Sequence, residues 1–221
     1  RERLKPPRFC QIASLERLYL HNAKLTTSGL KRLNGLSRLE WLNLSEVRSD
    51  EEFMDISGLT SLRRLTLGAP HKGPYLRDDD LACLAKLTNL EWLQMLWVDG
   101  MSDKGLGHLA GLTQIERLGI GGKAVTDTGL THLSGMKRLD NLTIRGDFTD
   151  KGLLQLEQNP ALGVLFLICP KQPKAATVKH LTEHLPQLGF FSYGPDLQKM
   201  RPIKGGRGGV GIGAAGTSRR R

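Results

Sequence analysis

Apolar side chains recur along this chain in a fixed frame, Leu-x-x-Leu-x-Leu or a close variant, eight times. The copies are Leu15/Leu18/Leu20, Leu39/Leu42/Leu44, Leu62/Leu65/Leu67, Leu90/Leu93/Met95, Ile115/Leu118/Ile120, Leu139/Leu142/Ile144, Leu162/Leu165/Leu167 and Leu188/Phe191/Tyr193. Successive copies begin 24, 23, 28, 25, 24, 23 and 26 residues apart. The last two apolar positions of each copy alternate with polar ones, the pattern of a strand with one buried face. Between copies, residues such as Leu130, Leu133 and Met136 follow helical spacing. Each unit is therefore predicted to be a short strand, a turn and a short helix, with a parallel sheet inside and helices outside.

The unit is spelled out most fully from Val125 to Ile144, where Val125-Thr126-Asp127-Thr128-Gly129-Leu130 opens it. Thr126 or Asp127 is placed to cap the helix, its oxygen accepting a backbone N–H of the first turn, and Gly135 falls near the helix end. The same opening stands at Leu25–Leu30, Met101–Leu106 and Phe148–Leu153. The unit T-D-x-G-L-x-x-L-x-x-L-x-x-L-x-L resembles the repeats of many bacterial and plant leucine-rich repeat proteins and of F-box-associated repeats. The resemblance covers about residues 12–194; Cys169 alone lies near the place where F-box-type repeats carry a cysteine after the strand. It implies an α/β leucine-rich repeat solenoid, a curved horseshoe segment of about eight repeats with a parallel concave sheet and short convex helices. No single unit can bury its own apolar face, so stability comes from stacking, and the terminal repeats are expected to fray first.

Two stretches leave the frame. Residues 45–61 carry Glu51-Glu52-Phe53-Met54-Asp55-Ile56 where the usual opening belongs, so an irregular outer segment is expected. The 28-residue spacing before Leu90 holds Pro70, Gly73 and Pro74, the composition of a protruding loop.

The formal charge of +10 suggests nucleic acid until it is located. Residues 1–8 carry four basic and one acidic side chain, and residues 200–221 carry six basic and none acidic. The rest holds 22 basic and 21 acidic residues, so the solenoid is near neutral and the basicity belongs to the ends. This divides the chain into a basic N-terminal flank (1–11), the solenoid (12–194) and a flexible Gly/Arg-rich tail (195–221). Nucleic-acid binding is confined, on this reading, to weak contacts through the tail. Cys10, Cys83 and Cys169 form no C-x-x-C pair or disulfide framework, which favours a reducing compartment, the cytoplasm. No apolar run is long enough to span a membrane. The chain starts at Arg1 rather than Met, and the expectation is a fragment or processed product.

Strand side chains alternate, so the residues between the frame positions face outward. The first outward column reads Arg17, Trp41, Arg64, Trp92, Arg117, Asn141, Val164, Phe190, and the second reads Tyr19, Asn43, Thr66, Gln94, Gly119, Thr143, Phe166, Ser192. Trp, Tyr and Arg are the types most enriched at binding hot spots. The candidate binding residues are therefore Arg17, Tyr19, Trp41, Asn43, Arg64, Trp92, Gln94 and Arg117. The rival reading is a self-stacked ladder that only stiffens the sheet. Val164, Phe166 and Ile168 form a separate apolar patch, read as buried against a C-terminal cap, with a second contact area as the rival reading.

Other motifs dissolve on inspection. His180-Leu181-Thr182-Glu183-His184 matches the H-x-x-E-H zinc pattern, but His180 precedes a core Leu just as His108, His132, Arg32 and Gln155 do. That slot faces solvent and accepts any polar residue. Gly206–Gly211 contains G-x-G-x-x-G without a preceding strand. Asp78-Asp79-Asp80 directly precedes Leu81, where acidic residues suit a helix start better than a Ca²⁺ loop. No Ser, Thr or Cys has an activating partner in recognisable spacing. The sequence thus describes a non-enzymatic scaffold with no cofactor or metal, whose partner is a protein or peptide. The alternative is the targeting segment of a larger multidomain enzyme or regulator, such as an F-box-like substrate receptor.

Overall fold

The computed structural model describes residues 14–21, 24–25, 32–44, 48–49, 55–68, 77–95, 100–195 and 201–203. Each outward–inward alternation read from the frame is a strand: β1 (Arg17–Tyr19), β3 (Trp41–Leu44), β5 (Arg64–Leu67), β6 (Trp92–Met95), β7 (Arg117–Gly121), β8 (Asn141–Arg145), β9 (Val164–Ile168) and β10 (Phe190–Gly194). Two short strands, β2 (Lys24–Leu25) and β4 (Arg48–Ser49), pair with each other outside this row, and β11 is Arg201–Ile203. The main sheet is open and nine-stranded, in the order β1-β3-β5-β6-β7-β8-β9-β10-β11. Pairing is parallel from β1 to β10 and keeps the repeat register, with Leu18 opposite Leu42, Leu42 opposite Leu65 and Leu65 opposite Leu93. This is the leucine-rich repeat solenoid that the periodicity implies.

The carbonyl just before each strand ties the next repeat in place by accepting two consecutive N–H groups. Glu16 O accepts from Glu40 and Trp41, Glu40 O from Arg63 and Arg64, and the series continues to Gly163 O, which accepts from Gly189 and Phe190. Behind the sheet the frame leucines of strand and helix meet in one continuous core, in which Leu42, Leu65, Leu93, Leu142 and Leu165 are fully buried. Leu15, Leu18 and Leu20 of the first repeat are only partly buried, since they have neighbours on one side alone among the described residues.

The outer layer is the expected row of short helices, of two kinds. Short α-helices span Asp103–Leu109, Asp127–Thr131, Asp150–Leu153 and Ala175–His184, but Arg32–Gly35, Asp78–Lys86 and Leu154–Gln158 are 3₁₀. Leu81, Leu84, Leu87 and Leu90 are three residues apart, and all are fully buried. Such a series suits about three residues per turn, although Leu106, Leu109, Leu112 and Ile115 keep the same spacing, all fully buried, along and after the α-helix Asp103–Leu109. The backbone bonds follow suit: Leu87 N donates to Leu84 O, and Leu90 N to Leu87 O, at 2.9 and 3.0 Å. The same three-residue chain of bonds carries Leu133, Met136 and Leu139 from helix to strand.

The T-D-x-G-L opening also resolves into separate jobs. Thr126, not Asp127, caps its own helix, its hydroxyl accepting from Thr128 N. Asp127 serves the following repeat, its carboxylate accepting from Thr149 N at 2.8 Å and from the Thr149 hydroxyl. Asp103 accepts likewise from Thr126 N and Oγ1, and Asp78 from Ser102 N and Oγ and from Gly105 N. Asp150 ends the series with Lys174 N and Thr177 Oγ1. An aspartate ladder thus stitches the outer layer from one repeat to the next.

The sheet does not stop at Gly194, where the frame ends. β11 pairs antiparallel with β10, Phe191 opposite Ile203 and Tyr193 opposite Arg201. A strand edge carries free N–H and C=O groups that any extended segment can satisfy, and a three-residue partner leaves no periodic trace. Of the irregular stretch 45–61, residues 45–47 and 50–54 lie outside the described residues, as do the loop positions Pro70, Gly73 and Pro74, the N-terminal flank 1–11 and residues 204–221.

Candidate binding face

The strand pleat sends the frame leucines inward and leaves the first outward column on the opposite face. The register puts Arg17, Trp41, Arg64, Trp92 and Arg117 side by side on β1, β3, β5, β6 and β7. Every neighbouring pair in that column is in stacking range. Arg17 lies over the Trp41 ring at 5.8 Å and Arg64 over the same ring at 5.1 Å. Arg64 and Arg117 flank the Trp92 ring at 5.7 and 5.6 Å. Each such contact contributes roughly 0.5–1 kcal/mol at an exposed site. The two indoles are therefore half-buried between guanidiniums rather than fully open, while Arg17, Arg64 and Arg117 remain exposed.

In the second column Tyr19 is 52% exposed and packs its ring against Trp41 at 5.0 Å. Asn43 lies opposite Tyr19 across the β1–β3 pair, and Gln94 is separated from Asn43 by Thr66. All eight candidate residues thus share one face of five adjacent strands. Of the distal apolar patch only Ile168 is buried; Val164 and Phe166 are half-buried, and Phe166 packs on Phe190 of the neighbouring strand at 5.0 Å between rings rather than under a cap.

A second row, missed in the sequence, runs beside the ladder. The residue after the first frame leucine is Glu16, Glu40, Arg63, Glu91, Glu116 in successive repeats. Glu16 pairs with Arg38 at 3.3 Å, Glu91 with Arg63 at 2.5 Å, and Glu116 with Arg138. Contact with Glu91, and to a lesser degree the nearby Glu40, holds the Arg63 guanidinium above its ordinary range. A hollow of about 180 Å³ opens where the two rows meet, lined by Arg17, Glu40, Trp41, Arg63, Arg64 and Glu91. The signal was in the frame, one position after a leucine, but charges at that place read equally well as a solvated edge.

The remaining motifs take structural parts. His180 Nε2 is 2.6 Å from Glu157 Oε1, the His180 and His184 rings stack at 3.9 Å, and Glu183 faces Lys179. The H-x-x-E-H residues therefore point to different partners, and no group of three or more His, Cys, Asp or Glu that could hold a metal occurs among the described residues. Of the three aspartates, Asp78 bonds the next repeat, Asp79 pairs with Lys104 at 2.7 Å, and Asp80 accepts from Arg77 N at 2.7 Å. Gly206–Gly211 lies outside the described residues. Burial pushes the Cys83 and Cys169 thiols up to about 11, away from the range of a reactive thiolate. No helix among the described residues is long and apolar enough to cross a membrane.

The sequence matches no family model and no curated protein. Solved structures do resemble the fold. An internalin from Listeria monocytogenes superposes with a TM-score of 0.57 at 19% identity, over 81% of this chain and 49% of that one. A plant peptide hormone receptor, RGFR1 in complex with RGF2, gives 0.50 at 16% identity, over 80% of this chain and 31% of the receptor. The chain therefore spans less than half the length of either. At these identities the likeness establishes the fold alone, a leucine-rich repeat solenoid.

Proposed function

We propose that the strand face of the first five repeats is the docking surface for a protein or peptide, held chiefly by Arg17, Trp41, Arg64, Trp92 and Arg117. One observation carries this reading: five outward side chains of hot-spot type form an unbroken stacked column on a rigid sheet. Because each guanidinium is already braced by an indole, little side-chain freedom is lost on binding, and that loss is where affinity usually goes. The plant receptor, solved in complex with RGF2, shows that a peptide hormone receptor can be built on this fold. The reading is one of recognition rather than catalysis.

The test is affinity capture with the full chain and with Arg64→Ala, Trp92→Ala and His132→Ala. Removing a central hot-spot side chain typically costs about 2 kcal/mol, roughly a thirtyfold loss in affinity. The two strand-face variants should lose the captured partner, and His132→Ala on the outer layer should keep it. The opposite pattern would move the functional surface to the helices.

A further inference from the structure

We infer that the partner of this face is an acidic, extended peptide segment whose carboxylates are spaced three residues apart, a reading that rests on the proposed docking face. The argument begins with charge. Three of the four glutamates of the adjacent row already have arginines of their own, Arg38 for Glu16, Arg63 for Glu91 and Arg138 for Glu116, and the fourth, Glu40, lines the hollow beside Arg17, Arg63 and Arg64. Arg17, Arg64 and Arg117 contribute guanidiniums to the ladder in addition to these, so the face carries a surplus of positive charge from β1 to β7.

Geometry narrows the ligand. A guanidinium that stacks its flat face on an indole keeps its N–H edge free for the bidentate hydrogen bonding that carboxylates favour. The three arginines occur on every second strand, and neighbouring strands lie about 4.8 Å apart, so their spacing is about 10 Å. A polyproline II chain advances about 3.1 Å per residue with three residues per turn, so carboxylates three residues apart stand on one face and repeat at about 9 Å. A peptide laid across the strands can therefore meet all three.

The same geometry argues against single-stranded nucleic acid, whose bases need open aromatic faces. Trp41 is covered by Arg17 on one side and Arg64 on the other, and Trp92 by Arg64 and Arg117. Arg64 touches both rings, which makes it the best braced of the three and the expected centre of binding energy.

The test is titration of the full chain, by calorimetry and by indole fluorescence, with synthetic peptides of equal length. One carries three glutamates separated by pairs of Gly or Ser, one carries the three glutamates in a row, and a third replaces them with glutamine. The spaced peptide should bind about tenfold or more tighter than the contiguous one, the glutamine peptide should not bind, and added salt should weaken the interaction. Arg64→Gln should lose about tenfold, Arg64→Lys less, and Lys151→Gln on the outer layer nothing. Equal binding of the spaced and contiguous peptides, or tighter binding of oligodeoxythymidine than of either, overturns the inference. If none of the peptides binds while a partner is still captured through Trp92, the acidic-ligand inference falls and the docking face stands.

Discussion

Asp127 fills the space that a side chain at position 152 would need. A Cβ added to Gly152 would lie 1.9 Å from Asp127 Oδ1, the oxygen that accepts the Thr149 N–H. Gly129 meets Asp103 in the same way, and Gly105 meets Asp78, each at 2.5 Å. The glycine of T-D-x-G-L is thus required by the aspartate of the preceding repeat, and the two residues form one device across the repeat boundary.

Gly152→Ala should therefore destabilise the solenoid by about 1–3 kcal/mol through overpacking. Asp127→Ala should cost a similar amount, about 1–3 kcal/mol, by leaving the Thr149 N–H and hydroxyl without their acceptor. The double variant should cost clearly less than the sum, because removing the carboxylate makes room for the new methyl group. Urea unfolding of the four proteins measures this, and strict additivity would show that the two residues act separately.

Core and face substitutions should behave differently. Leu118 is almost completely buried between neighbouring repeats, so Leu118→Asp places a carboxylate where no partner exists, a loss of about 4 kcal/mol or more. Trp92→Ala removes two stacking contacts of the ladder, worth about 1–2 kcal/mol together. Thermal unfolding should show a much larger drop for the first. Equal drops would mean that Trp92 belongs to the core.

Acid should loosen the last outer helix through Asp150. The hydrogen bond from Thr177, then that from Lys174 N, holds the Asp150 carboxyl below its usual value, with the Lys174 charge adding to this. A depressed folded pKa means that Asp150 contributes its full stability above the unfolded value, about 3.9. The contribution is lost as pH falls from there through the folded pKa. Asp150→Asn should accordingly flatten the acid limb of the stability–pH curve below about pH 4 while changing its shape little near neutrality. An unchanged acid limb would show that the carboxylate's protonation is not coupled to folding.

The division between sequence and tertiary structure follows from where each signal is stored. The leucine frame alone determined the fold, the strand register and the membership of the Arg17–Arg117 column. A period of two residues dictates which side chains face out, and a repeat of near-constant length dictates which ones become neighbours. The rest depended on contacts about one repeat away. That Asp127 serves Thr149 rather than its own helix, that Glu91 is neutralised by Arg63, and that Trp41 lies between two guanidiniums are relations across repeat boundaries. Arg201–Ile203 joins the sheet for a similar reason: its partner is the open edge of β10, and free backbone groups on an edge accept a strand without asking for any particular side chain.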